Sequence, residues 1–236
     1  MRLILIDIPN FEPEINFQIE KKILNIYLTD ALILRFWQNN SCAVMGKFQK
    51  EEYELNLDYI TKNKISFFRR FTGGGTVYHD RGNLNITLCK SKNKILFSKY
   101  FLEETAGITN VILEGLLFFH KGMKIKERNS IFLDGKKVLG SAVAIKNNNF
   151  FYHASLLVNA DLGQLRKVIK WEENYPENIR IPIKSKRSEV TNLSCGLPLS
   201  IDEVKEKILI NFQRLLKIED KDVKRFNNVD LLIEIK

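Results

Sequence analysis

The residues with the most chemical content stand in one short run, Arg69-Arg70-Phe71-Thr72-Gly73-Gly74-Gly75-Thr76-Val77-Tyr78-His79-Asp80. Three consecutive glycines are costly to order, because glycine loses more backbone freedom on folding than any other residue. Such a run suits main chain that must take positive φ angles or approach a ligand closely, and its exposed N–H groups can form an anion-binding nest. The two arginines supply delocalised charge and forked donors suited to phosphate or carboxylate. A glycine run alone is only a flexible hairpin loop; the flanking R-R and V-Y-H-D make this one a candidate site. It matches neither G-x-x-x-x-G-K-[ST] nor G-x-G-x-x-G.

A second segment is Asp134-Gly135-Lys136-Lys137-Val138-Leu139-Gly140-Ser141-Ala142. Strand alternation puts Lys137 and Leu139 on one side, Val138 and Gly140 on the other. A lysine on a hairpin strand beside small residues can present its ammonium to a carboxylate or phosphate, although most strand lysines are simply solvated. His153, in Phe151-Tyr152-His153-Ala154-Ser155, has the ordinary reading of a core-edge histidine. Cys42, Cys89 and Cys195 show no C-x-x-C spacing, and His79, His120 and His153 are not at metal-ligand spacing with them or each other. Cys195, in the loop-like Leu193-Ser194-Cys195-Gly196, is the one context for a reactive thiol; Cys42 and Cys89 read as small buried hydrophobes.

Positioning these groups requires strands and hairpins. Leu3–Ile8 reads as a strand and Asn16–Tyr27 as an amphipathic helix. Ala31–Trp37 and Cys42–Gly46, separated by Gln38-Asn39-Asn40-Ser41, read as a hairpin. A short helix over Leu57–Lys64 precedes strands at Ile65–Arg69, Thr76–His79 and Leu84–Leu88. Ser98–His120 is the longest helical stretch. Asp134-Gly135 is the strongest hairpin signal, joining Ile131–Leu133 to Lys137–Ile145, and Asn147-Asn148-Asn149 turns the chain into a strand over Phe151–Asn159. Asp161 caps a short helix, Lys170–Arg187 reads as a long polar loop, and Ser200-Ile201-Asp202-Glu203 is a capping box before a helix to Leu216. The pattern is mixed α+β, with hairpins rather than regular βαβ alternation.

At 236 residues, with 44% hydrophobic and 28% charged residues, the chain can bury a full core without disulfides or metals. No apolar run reaches membrane-spanning length, and the N-terminus is a poor signal peptide, so the reading is cytoplasmic with no membrane contact. A net charge of +9 attracts phosphates or acidic partners, but zinc-finger and RNA-binding signatures are missing, so no nucleic-acid partner is expected.

Taken together, R-R-x-x-G-G-G-x-V-x-H-D-x-G-N-L-N, D-G-K-K-V-x-G-S-A and H-A-S-L-L-V-N-A-D-L resemble the lipoate–protein ligase A family. Trp37…Ala43-Val44-Met45-Gly46-Lys47-Phe48-Gln49 and Ser188-Glu189-Val190-Thr191-Asn192-Leu193 add support, and order and spacing agree from about Asn16 to about residue 217. The resemblance implies a mixed β-sheet flanked by helices, as in biotin and lipoate ligase catalytic domains. It implies that ATP and lipoate form lipoyl-adenylate, which passes its lipoyl group to a lysine of an acceptor lipoyl domain or glycine-cleavage H-type protein. Lys137 would touch both the lipoyl carbonyl and the phosphate. Arg70, Thr72, Gly74, Gly75, Thr76, Val77, Tyr78, His79, Asn83, Gly140, Ser141, Ala142 and His153 would hold the adenylate. Trp37 and Val44 would wall the lipoyl slot, with Gly74, His79 and Ala142. Mg²⁺ would neutralise the leaving pyrophosphate, with Asp134 as a candidate ligand.

The same reading assigns residues 1–217 to a catalytic domain and 218–236 to a short extension, with no C-terminal accessory domain. It therefore expects a separate small accessory subunit, or competence in the transfer half alone. The competing reading is an ATP-independent octanoyl or lipoyl transferase with a cysteine nucleophile. A non-catalytic carrier-binding module is a third, disfavoured by the intact Arg70, glycine run and Lys137.

Overall fold

The computed structural model describes residues 1–171 and 185–228. In chain order the elements are β1 (Arg2–Asp7), α1 (Pro13–Asn25), β2 (Ala31–Trp37), β3 (Cys42–Met45), α2 (Glu51–Glu54), α3 (Leu57–Lys62), β4 (Ser66–Arg69), β5 (Val77–His79) and β6 (Asn83–Ser91). There follow α4 (Phe101–Leu116), β7 (Lys124–Lys126), β8 (Ser130–Leu133), β9 (Lys136–Lys146), β10 (Asn149–Leu157), α5 (Leu162–Val168), α6 (Ile201–Leu216) and β11 (Val223–Phe226). Eight strands form one sheet in the order β11-β1-β2-β6-β10-β9-β8-β7; β4-β3-β5 form a second. This is the expected α+β class, a mixed sheet flanked by helices.

Alternation along β6 explains the layering. Leu84, Ile86 and Leu88 enter the main core with Ile108, Val111 and Ile112 of α4 and Val204, Ile208 and Phe212 of α6. Asn83, Asn85 and Thr87 take the opposite face and are also buried. That polar stripe lies beneath the small sheet, and buried polar groups there must be hydrogen-bonded. On this same face, α1 covers the neighbouring strands through Ile19, Ile23 and Leu24 against Ile6, Ile33, Cys89 and Phe151. A third core joins Ala43, Met45 and Tyr78 of the small sheet to Ile60 of α3, Leu157, and Leu165 and Val168 of α5.

The two expected tight turns are present, with Asp134 and Gly135 at φ 47° and 79°, and Asn147 and Asn148 at φ 50° and 65°. Asp161 and Ser200 cap their helices as read, Ser200 in a full capping box. The structure departs from or adds to the sequence reading at four points. Residues 38–41 do not join a hairpin: β2 and β3 belong to different sheets, and Asn16 anchors the crossing by donating to Gln38 O and Asn39 Oδ1. β1 and β2 are parallel across α1, so one βαβ unit exists. Over residues 218–228 the C-terminal extension packs onto the domain: Ile218 and Phe226 are buried, and β11 pairs in parallel with β1. Most of the Lys170–Arg187 loop, residues 172–184, lies outside the described residues.

The fourth point concerns Lys137. Ile131 pairs with Leu139 but Phe132 pairs with Lys137, so Val138 is the extra residue of a β-bulge. The bulge breaks the alternation and puts Lys137 on the face of Gly140 instead of that of Leu139.

Candidate active site

Between the two sheets lies a cavity of about 640 Å³. The glycine turn forms one wall, and its shape is dictated by Arg70. That guanidinium, only 8% exposed, donates through Nη2 to Gly73 O (2.7 Å) and Gly75 O (2.8 Å), through Nη1 to Val44 O (3.2 Å) and through Nε to Thr72 Oγ1 (3.0 Å). Burial pulls its pKa down to about 10, which leaves it a cation at neutral pH. The fork is therefore spent on the turn's own carbonyls and is not held out to a phosphate. Arg69 points elsewhere, pairing with Glu51 at 2.9 Å. Gly74, at φ +91°, is where the turn needs glycine: a side chain there would meet Arg70 Nη2 at 2.9 Å and Ala142 of β9 at 3.9 Å.

Across the cavity, β10 holds β9 in register from Leu139 to Lys146, with Gly140 opposite Ser155 and Ala142 opposite His153. Beyond the bulge Lys137 turns to residues 189–191: its N–H donates to Glu189 O (2.8 Å) and its carbonyl accepts from Thr191 N (3.1 Å). Its side chain then lies over Gly140, where a Cβ would sit 3.0 Å from Nζ.

The remaining polar groups form a chain under the turn. Glu20 of α1 accepts from Arg35 Nη1 (3.0 Å) and Thr87 Oγ1 (2.8 Å), and its second oxygen is 3.2 Å from His153 Nδ1. His153 Nε2 is 2.8 Å from Thr72 Oγ1, which reaches Arg70. His153 is thus held at both nitrogens and orients the turn. His79 is deeply buried: desolvation drives its pKa down to about 3, with Arg70 and His153 adding repulsion. An amide nitrogen only donates, so the 3.1 Å contact from Asn39 Nδ2 makes Nδ1 the acceptor of a neutral ring.

The two ends of the cavity differ in chemistry. Phe17, Trp37, Val44 and His79 make one end apolar, with Trp37 packed edge-on to Phe17 (5.7 Å) and to His79 (5.9 Å) and its N–H satisfied by Thr87. Lys126, Lys137, Lys186 and Arg187 outnumber Glu127 and Glu189 elsewhere on its wall, with Lys186 paired to Glu127 and Arg187 to Glu54. An acyl chain with a carboxylate head suits such a gradient.

Of the residues read from the sequence, Trp37, Val44, Arg70, Gly74, Gly75, Thr76, Val77, Tyr78, His79, Lys137, Gly140, Ser141, Ala142 and His153 all line this cavity. Thr72, Asn83 and Asp134 are not on its wall. Thr72 links Arg70 to His153, Asn83 binds Ser155 and Leu156 O across β6 and β10, and Asp134 sits on the β8–β9 turn. Reading by motif missed Glu20, Glu54, Lys126, Ser185 and Arg187, which have no local pattern, and the 188–193 motif pointed only toward the last two; Gln49 stood in the 43–49 motif without being given a role in the site.

The model of the lipoyl protein ligase A/B catalytic domain matches residues 12–213. The chain belongs to that family. Lipoate-protein ligase A subunit 1 of Thermoplasma acidophilum is 32% identical over 197 residues, covering 80% of this chain and 74% of that protein. Lipoate–protein ligase 1 of Staphylococcus aureus is 30% identical over 201 residues, 84% of this chain but 59% of that longer protein. Among solved structures, a T. acidophilum lipoate protein ligase with bound lipoic acid superposes with TM-score 0.80 at 26% identity, covering 99% of this chain and 91% of the other. A lipoate-protein ligase A bound with ATP gives 0.78 at 26%, with the same coverage. A bi-partite lipoate protein ligase from T. acidophilum, described with its E2 lipoyl domain, gives 0.75 at 26%, covering 99% and 89%.

In this family member no cysteine stands on the cavity wall, although Cys42 pairs with His79 behind it. Cys195 is exposed elsewhere, and burial pushes the Cys42 thiol up to about 12 and that of Cys89 higher still. Among the described residues no group of three or more His, Cys, Asp or Glu could hold a metal, so they offer no cage for Mg²⁺. No described helix is long and apolar enough to cross a membrane.

Proposed function

We propose that this chain is an ATP-dependent lipoate–protein ligase. The observation that carries the reading is the meeting of three features in one cavity: an apolar slot, a glycine turn held by a buried arginine, and Lys137 extended over Gly140. The lipoyl tail would occupy the Trp37–Val44 end, which brings its carboxylate toward Lys137. In the first step a carboxylate oxygen attacks the α-phosphorus of ATP, the bond to the β-phosphate breaks, and pyrophosphate leaves. Lys137 neutralises charge gathering on the α-phosphate and acyl oxygens. In the second step an acceptor lysine amine attacks the mixed anhydride carbonyl and AMP departs, with Lys137 against the developing oxyanion.

Neither step assigns acid–base work to a histidine, in keeping with a neutral, buried His79 and a His153 bonded on both sides. Mg²⁺, which prefers to share substrate phosphates with a few carboxylates, would enter with ATP. We take the acceptor to be a lipoyl domain or H-type protein and the setting to be cytoplasmic. The bi-partite T. acidophilum system supports a helper subunit. The test is lipoate-dependent ATP–pyrophosphate exchange with and without such a subunit. Exchange is expected in at least one arm, and its absence in both refutes the reading. The cysteine transferase is tested by Cys195→Ser, which should leave turnover unchanged.

A further inference from the structure

We propose that Ser185 and Glu54 are positioning residues that fix the glycine turn relative to Lys137. The turn leads into β5 of the small sheet, whereas Lys137 belongs to β9 of the large one, and the two sheets share no ladder. Residues 185–191 run between them as a strap. At one end, Ser185 Oγ accepts from the Thr76 amide (3.0 Å) and Gln49 Nε2 (2.7 Å) and donates to Glu54 Oε2 (2.5 Å). Two acceptor positions and one donor exhaust a hydroxyl, so Ser185 is fully committed. At the other end, Glu189 and Thr191 bracket the backbone of Lys137.

Glu54 anchors the strap. It is a carboxylate only 1% exposed, which also accepts from the Ser185 amide (3.2 Å) and from Arg187 Nη2 (3.0 Å). A buried charge persists only when paired and hydrogen-bonded, and Ser185 and Arg187, both on the strap, are among its partners. Gln49 completes the clasp, its Oε1 accepting from Gly46 N and Thr76 Oγ1, each at 2.9 Å. The Thr76 amide is consequently given to Ser185, and what it contributes to the site is the turn's position and not an open donor.

Two readouts test this. The kinetic one rests on the ligase reading above; the structural one does not. Backbone amide exchange is compared between wild type and Ser185→Ala. The amides of Lys137 and Thr191 should exchange roughly tenfold faster in the variant, while those of β6 and α4 keep their protection. Unchanged rates at Lys137 and Thr191 overturn the proposal. Should Ser185→Ala fail to fold, Glu54→Gln carries the same comparison. In ATP–pyrophosphate exchange, kcat should fall roughly tenfold with KM for lipoate within about twofold of wild type, since the apolar end is untouched. The double variant with Glu54→Gln should lose less than the two single losses combined, because the variants share the Ser185–Glu54 bond while Glu54 also holds the residue 185 amide and Arg187. Additive losses, or a kcat near wild type, overturn it. A wild type without lipoate-dependent exchange sinks the ligase reading, and amide exchange alone then decides the strap.

Discussion

The ammonium end of Lys137 rests on the α-carbon of Gly140: a methyl group added at 140 would stand 2.9 Å from Lys137 Cε and 3.0 Å from Nζ. The colliding atoms are the far end of a flexible side chain, so Gly140→Ala should displace the lysine and spare the strand. Stability is expected to stay within about 0.5 kcal/mol while adenylation slows roughly tenfold. Thermal melts and pyrophosphate exchange on one preparation separate these; a full rate with an added methyl would argue against the placement of Lys137.

Lys137→Ala itself should lose roughly a hundredfold or more in kcat, the scale of removing one electrostatic stabiliser of an oxyanion. Nucleotide should still bind, because the turn does not depend on this side chain. Supplying preformed lipoyl-adenylate isolates the transfer step, which should be impaired too. Unchanged turnover removes Lys137 from the mechanism.

Gly74→Ala forces an L residue to φ +91° and brings its Cβ to 2.9 Å of Arg70 Nη2. The cost should be about 1–3 kcal/mol, from the positive φ and the disturbed guanidinium. Calorimetry should show a lower Tm, and ATP titration a raised KM. A variant as stable as wild type would mean the turn is not held as described.

His79 gives the pH dependence of stability a definite sign. Its folded pKa of about 3 lies below the ordinary value of 6.5, so below pH 6.5 the unfolded chain binds a proton that the folded chain refuses. The stability it contributes is fully present above 6.5 and is lost as pH falls toward 3. Between pH 7 and 5 the loss should be about 2 kcal/mol. His79→Gln, compared with wild type by urea denaturation at both pH values, should show a flatter profile by that amount; parallel profiles would contradict a neutral buried imidazole.

The +9 charge has a use if the acceptor is acidic. Association should then slow as ionic strength rises from about 0.05 to 0.5 M, with dissociation changing less. Stopped-flow mixing with a lipoyl domain measures this, and a salt-independent on-rate would return the charge to composition alone.

Much of the site was legible because its signals are local. The Asp134-Gly135 turn, the Ser200 capping box and the glycine run each declare themselves within a few residues, and the order of motifs identified the family. What failed was non-local. Nothing in Ala31–Gly46 distinguishes a hairpin from two strands in separate sheets, since both need the same short polar link. The Val138 bulge is invisible to period-two counting because Val138 and Leu139 are both apolar and both buried. Arg70 lines the cavity but binds main chain: a fork suited to phosphate is equally suited to two carbonyls of its own loop and one of β3. β7 and β11 were missed because three or four residues, half or more of them basic, carry no readable periodicity.

The pairing of β11 with β1 has a consequence for synthesis. Leu3 aligns with Val223 and Ile6 with Phe226, so the outer edge of β1 stays unpaired until synthesis has passed residue 226. That leaves β1 open to wrong partners during translation, where a chaperone or slowed elongation would help.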